Sequence, residues 1–375
     1  MFHHRDTLEV LNSHLPLKEK IISAHEVVKD KFPFVARVAI TLYDPETRVL
    51  KTYMHSSGDD NPLQHYQALL DEAPSLREIL NKGRPRVVNK LVTFNDSDNE
   101  HAKRIGRQGY AASYTMPMYH SGEFIGFLFF NSYESEVFTE KVLSDLDVYG
   151  HLISLMIINE LATLKVMSAA IKTTSHITHE RDPETGSHLD RMSRYSRIIA
   201  TTLADKYDLD DEYIEHIFMF APLHDIGKIA IPDSILLKPE GLDEDERKIM
   251  NTHARKGREM IDDIIKNFGL DKISDIDVLR NISEFHHEAV NGTGYPEGKS
   301  YDEIPLEARI VAVADVFDAL TTSRPYKEAW SNDASFDMLK KLAGEKLDRD
   351  CVEALFSNRK EVEEVQRLFK EDEYG

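Results

Sequence analysis

The chain has 375 residues, 41% of them hydrophobic, enough for two cores, and its formal net charge is −20 at pH 7. That charge excludes a protein that coats a nucleic-acid polymer, which needs a basic face along the phosphates. It leaves room for a small anionic ligand held by local cations or metals.

The single cysteine, Cys351, excludes an intrachain disulfide and a thiolate cluster, fits a reducing compartment, and reads as a small buried apolar residue. The N-terminus has no apolar core of signal-peptide type. No run approaches the ~20 apolar residues of a membrane span, so a cytoplasmic protein without a span is expected.

In chain order, a helix is expected around Leu17 to Lys31, then an alternating strand from Val35 to Tyr43, closed by the turn Asp44-Pro45-Glu46-Thr47. Further on, Tyr114 to Tyr119 and Phe124 to Phe130 flank Ser121-Gly122 as the arms of a hairpin. The second arm is nearly all apolar and therefore covered.

Roughly residues 15 to 160 resemble a GAF domain. The resemblance rests on Gly83-Arg84-Pro85-Arg86-Val87-Val88-Asn89, Ser113-Tyr114-Thr115-Met116-Pro117-Met118 and Gly122-Glu123-Phe124-Ile125-Gly126-Phe127-Leu128. It implies a sensor of small molecules, although no cysteine is present there to carry a bilin. A GAF fold without ligand, used for dimerisation, is the alternative.

From Phe138 to about Thr174 Gly150 is almost the only helix breaker, and Leu146, Tyr149, Ile153, Ile157, Leu161, Leu164, Met167 and Ile171 recur at three and four residues. One long helix is expected, with that stripe as a parallel dimer seam relaying a signal. A helix packed on its own domains is the alternative.

The remaining sequence is helical in pattern, punctuated by Pro232, Pro239, Pro296, Pro305 and Pro325. At the end of the apolar run Tyr213 to Leu223 stands His224-Asp225-Ile226-Gly227-Lys228. A histidine followed by aspartate lets one imidazole bind an ion while the neighbouring carboxylate bridges it to a second. Taken singly the pair is weak, but four more segments supply candidates: Glu184 with His188, then His253, then His286-His287-Glu288, then Asp315.

Glu184 and His188 share one face if the helix already runs through Gly186. Adjacent His286 and His287 point about 100° apart in a helix, which suits a helix end where both lean onto one ion. Asp315 is an acid in an otherwise apolar helical run, where a metal is the natural counter-charge and an ion pair with Arg324 the alternative. His176, His179 and His216 fit no ligand slot and read as helix-surface or satisfied histidines.

About residues 165 to 360 resemble the HD-GYP family of metal-dependent phosphohydrolases. The motifs are Arg181-Asp182-Pro183-Glu184-Thr185-Gly186-Ser187-His188, His224-Asp225-Ile226-Gly227-Lys228-Ile229, His286-His287-Glu288 with Asn291-Gly292-Thr293-Gly294-Tyr295-Pro296, Asp315-Val316-Phe317-Asp318, and Arg324-Pro325-Tyr326-Lys327. Where several members have tryptophan and aspartate, this chain has Val290 and Asn291.

The resemblance implies cyclic di-GMP hydrolysis to pGpG and GMP with two or three divalent ions, iron or manganese. His188, His224, Asp225 and Asp315 would ligate one ion, Asp225, His253, His286 and His287 a second, and Glu184 would admit a third. His224, Asp225 and Lys228 would be catalytic. Lys228, Arg324, Lys327, Tyr295 and Gly294 would face the substrate, and the Gly-Tyr-Pro loop would also serve contact with a diguanylate cyclase. A preference for cyclic GMP-AMP, or a non-catalytic sensor, are the alternatives.

The expected fold is thus α+β: a GAF-like α/β sensor over 1–145, a connecting helix over 146–174, and an all-α HD-GYP domain over 175–375, assembled as a homodimer.

Overall fold

The computed structural model describes residues 6–57, 65–90, 109–177, 186–270, 274–323 and 328–370. The chain divides into two compact units, one of Met1–Leu164 with Lys272–Ser274 and one made of Lys165–Asp271 and Asp275–Gly375. The fold is α+β, with the strands in the first unit and helices dominating the second.

In the first unit β1 (Arg37–Asp44), β2 (Val49–Ser57), β3 (Gln67–Leu69), β4 (Arg86–Val88), β5 (Ala112–His120) and β6 (Glu123–Ser132) form one sheet in the order β3-β2-β1-β6-β5-β4. Its described pairings are antiparallel. The expected hairpin is β5 and β6. Its turn residues Ser121 and Gly122 both have positive φ, 52° and 87°, which suits the twist of a tight hairpin.

Beside it, Gly126 lets β6 lie close on β1, since a Cβ there would meet the Thr41 carbonyl oxygen at 1.9 Å. Helix α1 (Leu17–Lys31) covers one face through Ile21, Ala24 and Val28, while α2 (Pro74–Lys82) packs Leu76 and Ile79 against Phe127.

The long helix is α3, Glu140–Ile177. The stripe read as a dimer seam has another partner: Leu146, Ile153, Ile157 and Leu161 are buried in the first unit's core with Val28, Ile40 and Phe130. An apolar stripe must be covered, and the core of the first unit, sheet and α1 together, covers this part of it. The expectation that no run approaches membrane-spanning length is also overturned. Within α3, Glu140–Met167 is long and apolar enough to cross a membrane, because a helix covered along one face carries the same composition.

The second unit is built around α4 (Gly186–Tyr207), which buries residues on most of its circumference, including Met192, Tyr195 and Ile199. Around it lie α5 (Asp211–Phe220), α6 (Asp233–Leu236), α7 (Glu244–Asn251), α8 (His253–Phe268), α9 (Ile276–Phe285) and α10 (Leu306–Thr321). Three further helices follow, α11 (Asn332–Leu342), α12 (Arg349–Ser357) and α13 (Arg359–Leu368). Cys351 is buried in α12, as its composition suggests.

Candidate metal centre

Helix α5 starts at an aspartate cap, the Asp210 carboxylate accepting from the Tyr213 N–H. It tightens into a 3₁₀ turn at Ala221–Leu223, and a second 3₁₀ stretch follows at Ile226–Ala230, so His224 and Asp225 sit between two tight turns. Both side chains thereby face one interior. The stretch can approach α8 because residue 227 is glycine: a Cβ there would lie 1.9 Å from the His253 carbonyl oxygen.

Helix α8 begins at His253, and α9 ends at Phe285, with His286 as its C-cap and the imidazole centroids of His286 and His287 4.0 Å apart. Helix α4 contributes His188 in its first turn and α10 contributes Asp315.

Two clusters result. Asp225, His253, His286 and His287 offer ligand atoms within 4.8 Å of one another, and so do His188, His224 and Asp315. Asp225 links them. Its Oδ1 lies 3.1 Å from His253 Nε2 and 3.5 Å from His286 Nε2, and its Oδ2 lies 3.2 Å from His224 Nε2 and 2.8 Å from Lys228 Nζ.

The tautomers follow from the outer shell. Nδ1 of His224, His253 and His286 each donates to a main-chain carbonyl, of Ala221 at 2.9 Å, Met250 at 2.8 Å and Ile282 at 2.9 Å. A carbonyl can only accept, so in the neutral rings Nε2 keeps its lone pair, turned inward. Two acceptors then face each other across 3.1 Å at His253 and Asp225, and Nε2 of His253, Nε2 of His286 and Oδ1 of Asp225 are buried without a hydrogen bond. A cation resolves that conflict, and the nitrogen and oxygen donors without thiolate suit a divalent transition ion.

The electrostatics agree. Burial alone would raise the Asp225 carboxyl, but Lys228 and His224 outweigh it and hold it well below the usual carboxylate range. Burial pushes His286 down, and burial with the neighbouring His286 pushes His287 down further. For Asp225, His286 and His287 the environment thus favours the deprotonated form that metal binding requires.

Tyr295 stands against this cluster, its ring centroid 4.8 Å from that of His287. Burial, then the Asp225 charge, raises its phenol, which stays protonated and can donate. Gly294 beside it has no room for a side chain, a Cβ lying 2.2 Å from the Ala289 nitrogen. Lys228 is at the edge of the centre and holds Asp225. Glu184, Arg324 and Lys327 lie outside the described residues, as does His179.

The residues that hold the ligands are not among the candidates the sequence singles out. Asp318 accepts from His188 Nδ1 at 2.7 Å and from Arg191 Nε at 2.6 Å and Nη2 at 2.9 Å. The signal was the spacing: Asp318 follows Asp315 by three residues, as Arg191 follows His188, so each lies one turn along the same face. Glu288, read only as part of a motif, accepts the N–H groups of Glu297, Gly298 and Lys299 at 2.7, 3.1 and 2.9 Å and so folds the loop that presents Tyr295. His216, read as a satisfied or surface histidine, is neither: it is fully buried with both ring nitrogens lacking a hydrogen bond.

Residues 182–351 match the family model described as the HD domain. A cyclic di-GMP phosphodiesterase response regulator of Xanthomonas campestris is 46% identical over 185 residues, 49% of this chain and 46% of that protein. A 3′3′-cGAMP-specific phosphodiesterase of Vibrio cholerae is 34% identical over 227 residues, 58% of this chain and 41% of that protein. The match thus spans less than half the length of either relative. Among solved structures, the phycocyanobilin-bound GAF domain of a cyanobacterial phytochrome aligns with 42% of this chain and 96% of its own at 19% identity, with a TM-score of 0.33.

Proposed function

We propose that the second unit, which matches the HD domain model over residues 182–351, is of the HD-GYP type and that the chain is a metal-dependent phosphodiesterase that hydrolyses cyclic di-GMP to pGpG and onward to GMP. The observation that carries the reading is Asp225, whose two oxygens face two histidine groups, His253 with His286 on one side and His224 on the other. A carboxylate so placed would offer one oxygen to each of two ions. Relatives whose printed names specify cyclic di-GMP and 3′3′-cGAMP support a cyclic dinucleotide as the substrate class.

In this reading His188, His224, Asp225 and Asp315 hold one ion and Asp225, His253, His286 and His287 the other, with Glu184 available to a third. Iron is the preferred metal and manganese the alternative. When bound, such a pair lowers the pKa of a water into the neutral range and draws charge from the phosphoryl oxygens. The chain's own residues do the rest.

Asp225 keeps its charge because Lys228 lies 2.8 Å away, and the same ammonium stands at the edge of the centre to meet the charge that builds on phosphate in the transition state. The protonated Tyr295 hydroxyl closes one wall and offers a donor to the substrate. Arg324 and Lys327, which match family positions that hold the substrate phosphates, are the proposed phosphate-binding residues, an arginine fork being able to bind two oxygens.

The first unit regulates this activity as a GAF-type sensor in the cytoplasm, and the Gly-Tyr-Pro loop is the surface for a cyclase partner. Dimerisation runs through the outer face of α3. Val148, Leu155 and Val166 are 67%, 63% and 61% exposed, and with Leu152, Asn159 and Ala162 they alternate at four and three residues, a heptad seam with one polar position.

The test is turnover by the full chain, purified without oxygen and loaded with Fe²⁺ or Mn²⁺, of cyclic di-GMP and of 3′3′-cGAMP in parallel. Faster loss of cyclic di-GMP with appearance of pGpG is expected. Faster loss of the mixed dinucleotide moves the base preference, and consumption of neither overturns the reading.

A further inference from the structure

A third group of ligand-type side chains lies apart from the catalytic centre. Glu212 and His216 are one turn apart on α5, and with Asp275, the N-cap residue of α9, they offer ligand atoms within 4.8 Å of one another. Glu212 is 3% exposed and His216 is fully buried, its ring stacked on Phe220 at 5.5 Å. Asp275 is 39% exposed at its side chain and lies 3.7 Å from the ring, Oδ2 to Nδ1.

Each ring nitrogen of His216 is buried without a hydrogen bond. A buried imidazole whose two nitrogens both lack hydrogen bonds is costly, and the Asp275 oxygen is too far to form one. One nitrogen faces two carboxylates, a donor set with two negative charges and one neutral imidazole.

We propose that Glu212, His216 and Asp275 form a separate site for a divalent transition ion of the zinc class. An imidazole and two carboxylates satisfy a divalent charge, and the solvent-facing Asp275 leaves an entry path and a position for water. Its placement gives it a role. Helix α5 leads into His224 and Asp225, and α9 ends at His286. An ion held at the beginning of both helices clips together the two elements whose far ends carry catalytic ligands, on the order of 12 Å along the axis from His216 to His224. The site is structural: it positions the elements and touches no substrate. It does not rest on the identity of the reaction.

The test is the zinc content of the full chain after dialysis against buffered free Zn²⁺ near 1 μM, for the wild type, Asp275→Asn and His216→Leu, with circular dichroism as a check on folding. Both variants are expected to hold one zinc fewer per chain than the wild type, while Asp225→Ala, which disables the other centre, loses its zinc there and still shows the same one-zinc difference when Asp275→Asn is added. Since His216→Leu alters a buried position, Asp275→Asn at the half-exposed position keeps the test decisive if the first variant unfolds. Equal zinc in the wild type and Asp275→Asn overturns the proposal, as does a difference that disappears in the Asp225→Ala background. Failure of the phosphodiesterase reading shows instead as unchanged dinucleotide.

Discussion

Asp315 and Asp318 sit one turn apart on α10 and do different work. Asp315 joins His188 and His224, while Asp318 holds His188 from behind and is itself gripped by Arg191. The sequence makes both conspicuous as acids in an apolar run, yet only the fold, which brings Arg191 of α4 opposite α10, decides which acid points where. Replacing a partner that orients a metal-binding histidine typically costs about 10- to 100-fold in metal affinity or activity. Asp318→Asn is therefore expected to weaken metal binding by that factor, measured as the free Mn²⁺ needed for half-maximal turnover. Asp318→Ala also removes the carboxylate partner of the buried Arg191, which keeps only its bonds to the Phe369 carbonyl and the Thr322 hydroxyl among those described, so its unfolding free energy in urea is expected to fall by about 3 kcal/mol. A variant with wild-type metal dependence and stability would remove Asp318 from the account.

At the scale of elements, glycine and helix ends set the ligand geometry. Gly227→Ala would drive a methyl against the His253 carbonyl, so the 3₁₀ stretch must move away from α8 and carry Asp225 with it. The expected outcome is loss of metal and a lower melting temperature, checked by metal analysis and calorimetry. Nothing in the local sequence reveals that contact, because it joins residues 26 positions apart. Other elements were plain: alternation gave β1 within two residues, Ser121-Gly122 gave the hairpin, and unbroken helical pattern gave α3.

The stripe on α3 tells that one face is covered but not by what, and the first unit's own sheet and α1 take its N-terminal part, Leu146 to Leu161. The proposed dimer uses the opposite face. Leu155→Lys places a charge in that seam and is expected to turn a dimer into a monomer by light scattering, with secondary structure retained. An unchanged mass would exclude the face.

For the whole molecule, each unit has its own core, and acid acts on them differently. His25 of α1 is buried and bonds Ser56 Oγ at 2.7 Å and the Val35 carbonyl at 3.0 Å. Burial, with Lys29 adding to it, lowers its pKa despite the opposing bond to Val35. The unfolded chain regains the ordinary value of about 6.5, so below that pH it takes up a proton that the folded unit refuses. Stability is thus complete above about pH 6.5 and declines as pH falls beneath it. Melting of the first unit is expected at lower temperature at about pH 5.5 than at about pH 7.5, and His25→Asn is expected to flatten that difference. A slope unaffected by the substitution would place the titration elsewhere.

The net charge of −20 marks a molecule whose chemistry with a phosphate ligand must be local. Each of the five separated segments named from sequence contributes to the centre: His188, His224-Asp225, His253, His286-His287 and Asp315 converge in one unit. The bridging role of Asp225 is the central claim. It is tested most directly by measuring bound metal and cyclic di-GMP turnover in the same preparation of Asp225→Ala. At least one ion fewer per chain than the wild type is expected, with a loss of turnover of about a thousandfold or more, the scale of several kcal/mol of transition-state stabilisation. Wild-type metal content with wild-type turnover would contradict it.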